Sequence, residues 1–174
     1  MRRAVFLDRD GVINRAVVRD GKPHPPDTIE ELEVLDGVPE VLLKLRDAGF
    51  LLIVVTNQPD VARGTQTREV VESMHARLMA ELAIDEIVAC YHDGDDCDCR
   101  KPEPGALLDA ARRHGIDLER SFMIGDRWRD IEAGQRAGCR CLFIDYGYRE
   151  RQPEGAFVSV SSLAEAADVI VANG

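Results

Sequence analysis

The chain has 174 residues, with 32 Asp and Glu against 22 Lys and Arg and a formal net charge of −10. At about 150 residues per domain this length predicts one domain spanning residues 1–174, and a hydrophobic content of 45% excludes disorder and fibrous repeats. The negative charge excludes nucleic acid and anionic membranes as main partners, since both need a cationic face, but it permits a small anion held by a few local cations or a metal.

Met1-Arg2-Arg3 is basic, but only Ala4, Val5, Phe6 and Leu7 follow before Asp8 and Arg9 interrupt, so the apolar region of a signal peptide is missing. Those four residues read as a first strand. Pro23, Pro25 and Pro26 make residues 21–28 a stiff, irregular surface loop. Asp36-Gly37-Val38-Pro39 opens a predicted helix over 38–48, and Ala48-Gly49 stops it. A strand follows at 51–55, a helix at 67–82, a strand at 86–91, a helix at 105–114, a strand at 122–124, a helix at 130–137 and a strand at 141–144. Residues 157–160 add an edge strand, and Ser161 or Ser162 caps a last helix that ends near Ala172. Short apolar runs alternating with helix-length amphipathic segments are the pattern of an α/β fold with a parallel sheet. The longest apolar stretches, such as residues 50–55, fall far short of the roughly 18 to 20 residues that span a bilayer. A cytoplasmic, reducing location is therefore the expectation, and there the five cysteines are thiols or metal ligands rather than disulfides.

In an open α/β sheet the ligand site lies beyond the carboxyl ends of the strands. Here those ends carry Asp8-Arg9-Asp10-Gly11, then Thr56-Asn57-Gln58, then Gly125-Asp126-Arg127-Trp128-Arg129-Asp130. Two acids in a turn, or two at the head of a helix, are most often solvated or complement a helix dipole. Four carboxylates from two strand ends, joined by a hydroxyl at Thr56 and a lysine at Lys101, make a chemical constellation instead.

Taken in order, FLDRDGVIN, VVTNQ, CRKPEPG and GDRWRDIEAG resemble the four motifs of the haloacid dehalogenase (HAD) superfamily of phosphohydrolases, over about residues 4–144. The resemblance implies a Rossmann-like three-layer α/β/α fold. It also implies that Asp8 is the nucleophile and that Asp10 protonates the leaving oxygen and then activates water. Asp8, Asp126 and the backbone carbonyl of Asp10 would hold Mg²⁺, with Asp130 a supporting carboxylate paired to Lys101. Thr56, Asn57 and Lys101 would hold the phosphoryl oxygens. Physical need agrees with this division of labour: phosphate monoester hydrolysis requires accelerations approaching about 10²¹, which a covalent intermediate and a divalent metal can share.

Cys90, His92, Cys97 and Cys99 form C-x-H-x4-C-x-C, the ligand set of a structural Cys₃His zinc site in a loop at about residues 90–99. The segment 93–98 is too polar to be a packed core strand, and zinc would fix the Arg100-Lys101 cations that follow it. Cys139 and Cys141 read as buried thiols, and His75 and His114 as surface or structural residues.

The cysteine-histidine insert resembles the group within the superfamily that contains D,D-heptose 1,7-bisphosphate and histidinol-phosphate phosphatases, which lack a large cap domain. Asn57-Gln58-Pro59-Asp60-Val61-Ala62-Arg63-Gly64 resembles the heptose-type segment, and that likeness implies that Arg63 and Arg100 bind a second phosphate. His24 is a further candidate to touch substrate. Pro59-Asp60 and Tyr91 depart from the usual residues of that group. The expected partner is a phosphorylated sugar, bound by a monomer. Two readings from other classes stay open, a phospho-acceptor signalling domain and a zinc-stabilised binding module.

Overall fold

A computed structural model of the chain describes residues 1–173. Six parallel strands form one sheet in the order β5-β4-β1-β6-β7-β8. In chain order they are β1 (Arg3–Leu7), β4 (Phe50–Asn57), β5 (Glu86–Cys90), β6 (Phe122–Gly125), β7 (Arg140–Ile144) and β8 (Val158–Val160). The helices are α1 (Val38–Asp47), α2 (Asp60–Arg63), α3 (Arg68–Glu81), α4 (Gly105–His114), α5 (Trp128–Ala137) and α6 (Leu163–Asn173).

Strand side chains alternate between the two sheet faces, so a strand covered on both sides must be apolar at every position. In β1, Val5 and Leu7 enter a core shared with Leu42, Met74, Leu78 and Ile170 of α1, α3 and α6. Its other residues, Ala4 and Phe6, enter a second core with Leu107, Ala110 and Ile131 of α4 and α5. The sheet is thus the middle of three layers, as expected. Among the described residues no helix is long and apolar enough to cross a membrane.

The chain builds outward from β1 through β4 to β5, then crosses back to start β6 on the other side of β1. That reversal leaves a crevice at the carboxyl ends of β1 and β6, where such sheets take ligands.

Two local expectations need correction. Residues 21–28 are not wholly irregular, because β2 (Val17–Arg19) and β3 (Lys22–His24) pair as an antiparallel hairpin. Its two-residue turn, Asp20-Gly21, has both φ angles positive, at 52° and 74°, which Asp-Gly tolerates and hairpin twist favours. Pro23 and strands of only three residues masked the signal. Helix α5 starts at Trp128, two residues before the expected Asp130, because the Asp130 carboxylate accepts the Arg127 N–H at 3.0 Å and closes the first turn.

Candidate active site

Strand β1 carries Asp8 to the sheet edge, where the Asp8 N–H still donates to the Ile124 carbonyl at 3.0 Å. The chain then turns at Gly11, φ +88°, where a Cβ would lie 2.0 Å from Asp126 Oδ2. A Cβ on Gly125 would lie 2.1 Å from the Asp130 Cβ. Glycine at both places lets the two acidic loops close on one another.

Lys101 joins them. Its side chain is 2% exposed, and Nζ donates to Asp8 Oδ1 at 2.9 Å, Asp130 Oδ1 at 2.7 Å and the Val55 carbonyl at 2.7 Å. All three ammonium donors are therefore used. Asn57 fixes the loop that delivers it: the Asn57 amide donates to the Lys101 carbonyl at 2.9 Å and accepts from the Lys101 N–H at 3.0 Å. That side chain, expected to hold phosphate, is engaged in bracing Lys101. Thr56 is buried, and its hydroxyl accepts from Gln58 at 2.9 Å.

Asp10 is held by groups that the sequence did not single out. Oδ1 accepts from Arg9 Nη2 at 2.8 Å and Asn14 at 3.0 Å, and Oδ2 accepts from Gln58 at 3.0 Å. Arg9 is fully buried, and its other terminal nitrogen lies 3.1 Å from His75 Nε2. Burial, and then the Arg9 charge, push the His75 pKa down to about 4, so the ring is neutral at pH 7 and accepts that N–H. His75 is thus a structural residue, and His114 lies 2.6 Å from Glu86.

Asp8, Asp126 and Asp130 each place a carboxylate oxygen within 4.8 Å of the others. Burial, and then Asp130, push the Asp8 pKa up to about 6. Burial, and then Asp8, push Asp126 well above the usual carboxylate range. Tyr148 donates to Asp126 Oδ2 at 2.8 Å, while Asp126 Oδ1 is buried with no hydrogen-bond partner. Crowded hard oxygens with one unsatisfied lone-pair acceptor fit a divalent cation. Lys101 is subject to the opposite force, because burial lowers its pKa but Asp130 and Asp8 outweigh it and raise it.

A cavity of about 350 Å³ opens over Asp8, Asp10, Asn57, Lys101 and Asp130. Arg63, Arg100 and His24 line it, and so do Lys22, Arg127 and Arg129, which sequence reasoning passed over. The two arginines sat inside a quoted motif, where their i, i+2 spacing before Asp130 was the available signal. Lys22 and His24 reach the cavity through the unforeseen hairpin.

Beside the cavity, Cys90, His92, Cys97 and Cys99 place their ligand atoms within 4.8 Å of one another. The Cys90 and Cys97 sulfurs are 3.8 Å apart, Cys97 and Cys99 3.5 Å, Cys90 and Cys99 2.9 Å, and His92 Nδ1 lies 3.3 Å from Cys99. Zn–S bonds of about 2.3 Å in a tetrahedron give edges of about 3.8 Å; the Cys90–Cys97 pair matches such an edge, the Cys90–Cys99 pair is tighter, and three thiols converging with one imidazole are the donor set of a structural zinc site. Burial, and then the neighbouring sulfurs, push the Cys99 thiol upward, a cost that a bound cation removes. Cys139 and Cys141 lie elsewhere, buried in the second core.

The family model described as HAD-hydrolase-like matches residues 98–171. A D-glycero-beta-D-manno-heptose-1,7-bisphosphate 7-phosphatase of Photorhabdus laumondii is 40% identical over 147 residues, covering 77% of this chain and 75% of its own. The alpha-anomer 7-phosphatase of the same organism is 35% identical over 172 residues, covering 90% of this chain and 91% of its own. Among solved structures, a D,D-heptose 1,7-bisphosphate phosphatase from B. bronchiseptica, complexed with magnesium and phosphate, superposes with a TM-score of 0.83. It is 30% identical, over 99% of each chain. With its motifs at the carboxyl ends of β1, β4 and β6 and relatives of this closeness, the chain belongs to the HAD-like hydrolase family, among its phosphatases.

Proposed function

We propose that the protein is a Mg²⁺-dependent phosphatase that removes the 7-phosphate of a D-glycero-D-manno-heptose 1,7-bisphosphate through an aspartyl-phosphate on Asp8. The observation that carries the chemistry is the Asp8–Lys101–Asp130 chain at the end of the central strand, because it leaves one Asp8 oxygen free while Lys101 holds the other. Relatives acting on both anomers of that bisphosphate support the substrate.

Asp8 Oδ2 attacks phosphorus, forming a P–O bond as the bond to the sugar oxygen breaks. Asp10 acts as general acid toward that leaving oxygen and then as general base toward the water that attacks the aspartyl-phosphate. Inorganic phosphate leaves, and Asp8 is restored. Lys101 reduces repulsion between Asp8 and the incoming anion, and Thr56 and Asn57 border the phosphoryl site. When bound by Asp8, Asp126 and the Asp10 carbonyl, Mg²⁺ supplies neutralisation of the charge on the phosphoryl oxygens. Asp130 and Tyr148 orient that carboxylate set.

The deciding experiment is phosphate release with Mg²⁺ over both heptose bisphosphate anomers, fructose 1,6-bisphosphate and histidinol phosphate. One heptose anomer is expected to lead the others by about tenfold or more in kcat/KM. Preference for histidinol phosphate overturns the substrate assignment.

Cys90, His92, Cys97 and Cys99 hold a structural zinc in this reading. Elemental analysis is expected to find one zinc per chain, and chelation to lower the melting temperature by about 10 °C, corresponding to a few kcal/mol at this size. Activity should fall with it, since the loop leads directly into Arg100 and Lys101. An unchanged melt after verified zinc loss removes this role. Five cysteines without a disulfide among them support a cytoplasmic location, and a cavity lined by one chain supports a monomer.

A further inference from the structure

The cations around the cavity are not equivalent. Arg63 Nη2 lies 2.6 Å from Asp93 and its Nη1 lies 3.4 Å from Asp60, so its charge is already answered on two sides. Arg127 is held by both oxygens of Glu150, through Nε at 2.9 Å and Nη2 at 2.7 Å. Arg100 reaches the Asp93 carbonyl through Nη1, which also lies 3.5 Å from Asp93 Oδ1, and its Nε is buried without a hydrogen-bond partner, on a side chain that is 13% exposed.

Arg129 differs from all three. Among the described residues it has no ion pair or hydrogen bond through its guanidinium, which lies 4.6 Å from the centre of the Trp128 ring. Arg151 stacks on the same ring at 4.4 Å. Stacking orients a guanidinium and leaves its N–H fork available. Burial, and then the charges of Arg100 and Arg127, push the Arg129 pKa down, so these three cations repel one another. In a protein of net charge −10, Arg129 is the one of these four arginines without an acidic partner among the described residues, and it lies on the wall of the cavity that contains the nucleophile. A dianion entering the cavity that Arg129 and Arg100 both line would meet the free guanidinium fork of Arg129.

We propose that Arg129 is the residue that selects for a bisphosphate, receiving the phosphate remote from the bond that breaks, with Arg100 beside it. Arg63 instead restrains the zinc loop through Asp93. The inference rests on the bisphosphate reading given above. It differs from the sequence expectation by giving the discriminating role to Arg129 rather than to the Arg63–Arg100 pair.

The test compares kcat/KM for heptose 1,7-bisphosphate with that for heptose 7-phosphate, which lacks the remote group. The wild type, Arg129→Gln, Arg129→Lys and Arg63→Gln proteins are assayed as Mg²⁺ and zinc holoenzymes. The ratio is expected to fall about tenfold or more in R129Q, to recover partly in R129K, and to fall less in R63Q. R129K keeps the experiment informative should R129Q fold poorly, since it retains charge but not the fork. A wild-type preference that persists in R129Q, or falls further in R63Q, overturns the inference and leaves the bisphosphate reading standing. No preference in the wild type overturns the reading itself, and this inference with it, before any substitution is considered.

Discussion

Asp8→Asn is expected to lower kcat by at least about 10⁴-fold, roughly 5.5 kcal/mol at 1.36 kcal/mol per decade, while leaving the metal-free protein as stable as the wild type or more so. The first effect follows from chemistry: an amide oxygen in the same place cannot form the acyl phosphate. The second follows from electrostatics. The Asp8 pKa rises from 3.8 to about 6 in the fold, first through burial and then through Asp130, so ionised Asp8 opposes folding. That opposition is fully present above about pH 6 and absent below about pH 3.8, where the group is protonated in both states. Asn still accepts the Lys101 ammonium bond. Thermal melts should therefore show the variant gaining at pH 7.5 and losing its advantage near pH 4. Mg²⁺ should raise the wild-type melt more than the variant's. Residual turnover within about 100-fold of wild type would falsify the nucleophile assignment.

Strands β1, β4 and β6 were legible because each is covered on both faces and so reads as an uninterrupted apolar run ending in polar residues. Parallel order then placed Asp8, Thr56 and Asp126 on one rim without any knowledge of contacts. The Cys₃His cluster was legible for a different reason, since four side chains within ten residues can meet through local chain geometry alone. What escaped detection was long-range or unsupported by period. Arg9 stood in the first motif with no role given to it, and only the fold shows it sealed between Asp10 and His75, a residue 66 positions away. Tyr148 lies outside any helix or strand, 22 residues after the Asp126 that it contacts. Arg63 lines the cavity, where it was expected to meet substrate, but its Asp93 partner depends on how the loop at 90–99 folds back. The β2–β3 hairpin is short and half solvated, with Val18 57% exposed, so hydrophobic patterning had little to act on. Its Asp20-Gly21 turn was the stronger signal.

Lys101→Met is expected to destabilise the metal-free protein by about 3–5 kcal/mol, the usual effect of removing one partner from a buried ion pair, and to lower kcat/KM by about 10³-fold. The ammonium is the cation that contacts Asp8 and Asp130, at 2.9 and 2.7 Å, and the Asp130 side chain is only 3% exposed. Methionine fills similar volume, so packing changes little while three neighbouring carboxylates, including Asp126, lose their compensating charge. Two consequences separate this account from a loss of packing. Mg²⁺ should recover part of the stability, because it answers the same carboxylates. Adding Asp130→Asn should recover a further part, since one of the stranded charges is gone, although activity should not return. The double variant's coupling is read from urea melts in a double-mutant cycle. If Lys101→Met and Lys101→Met/Asp130→Asn are equally unstable, the loss lies in side-chain fit, and the pair is not what holds the β1 and β6 loops together. If the double variant regains stability but stays inactive, the Asp8–Lys101–Asp130 chain is a feature that the fold tolerates at a cost and catalysis requires.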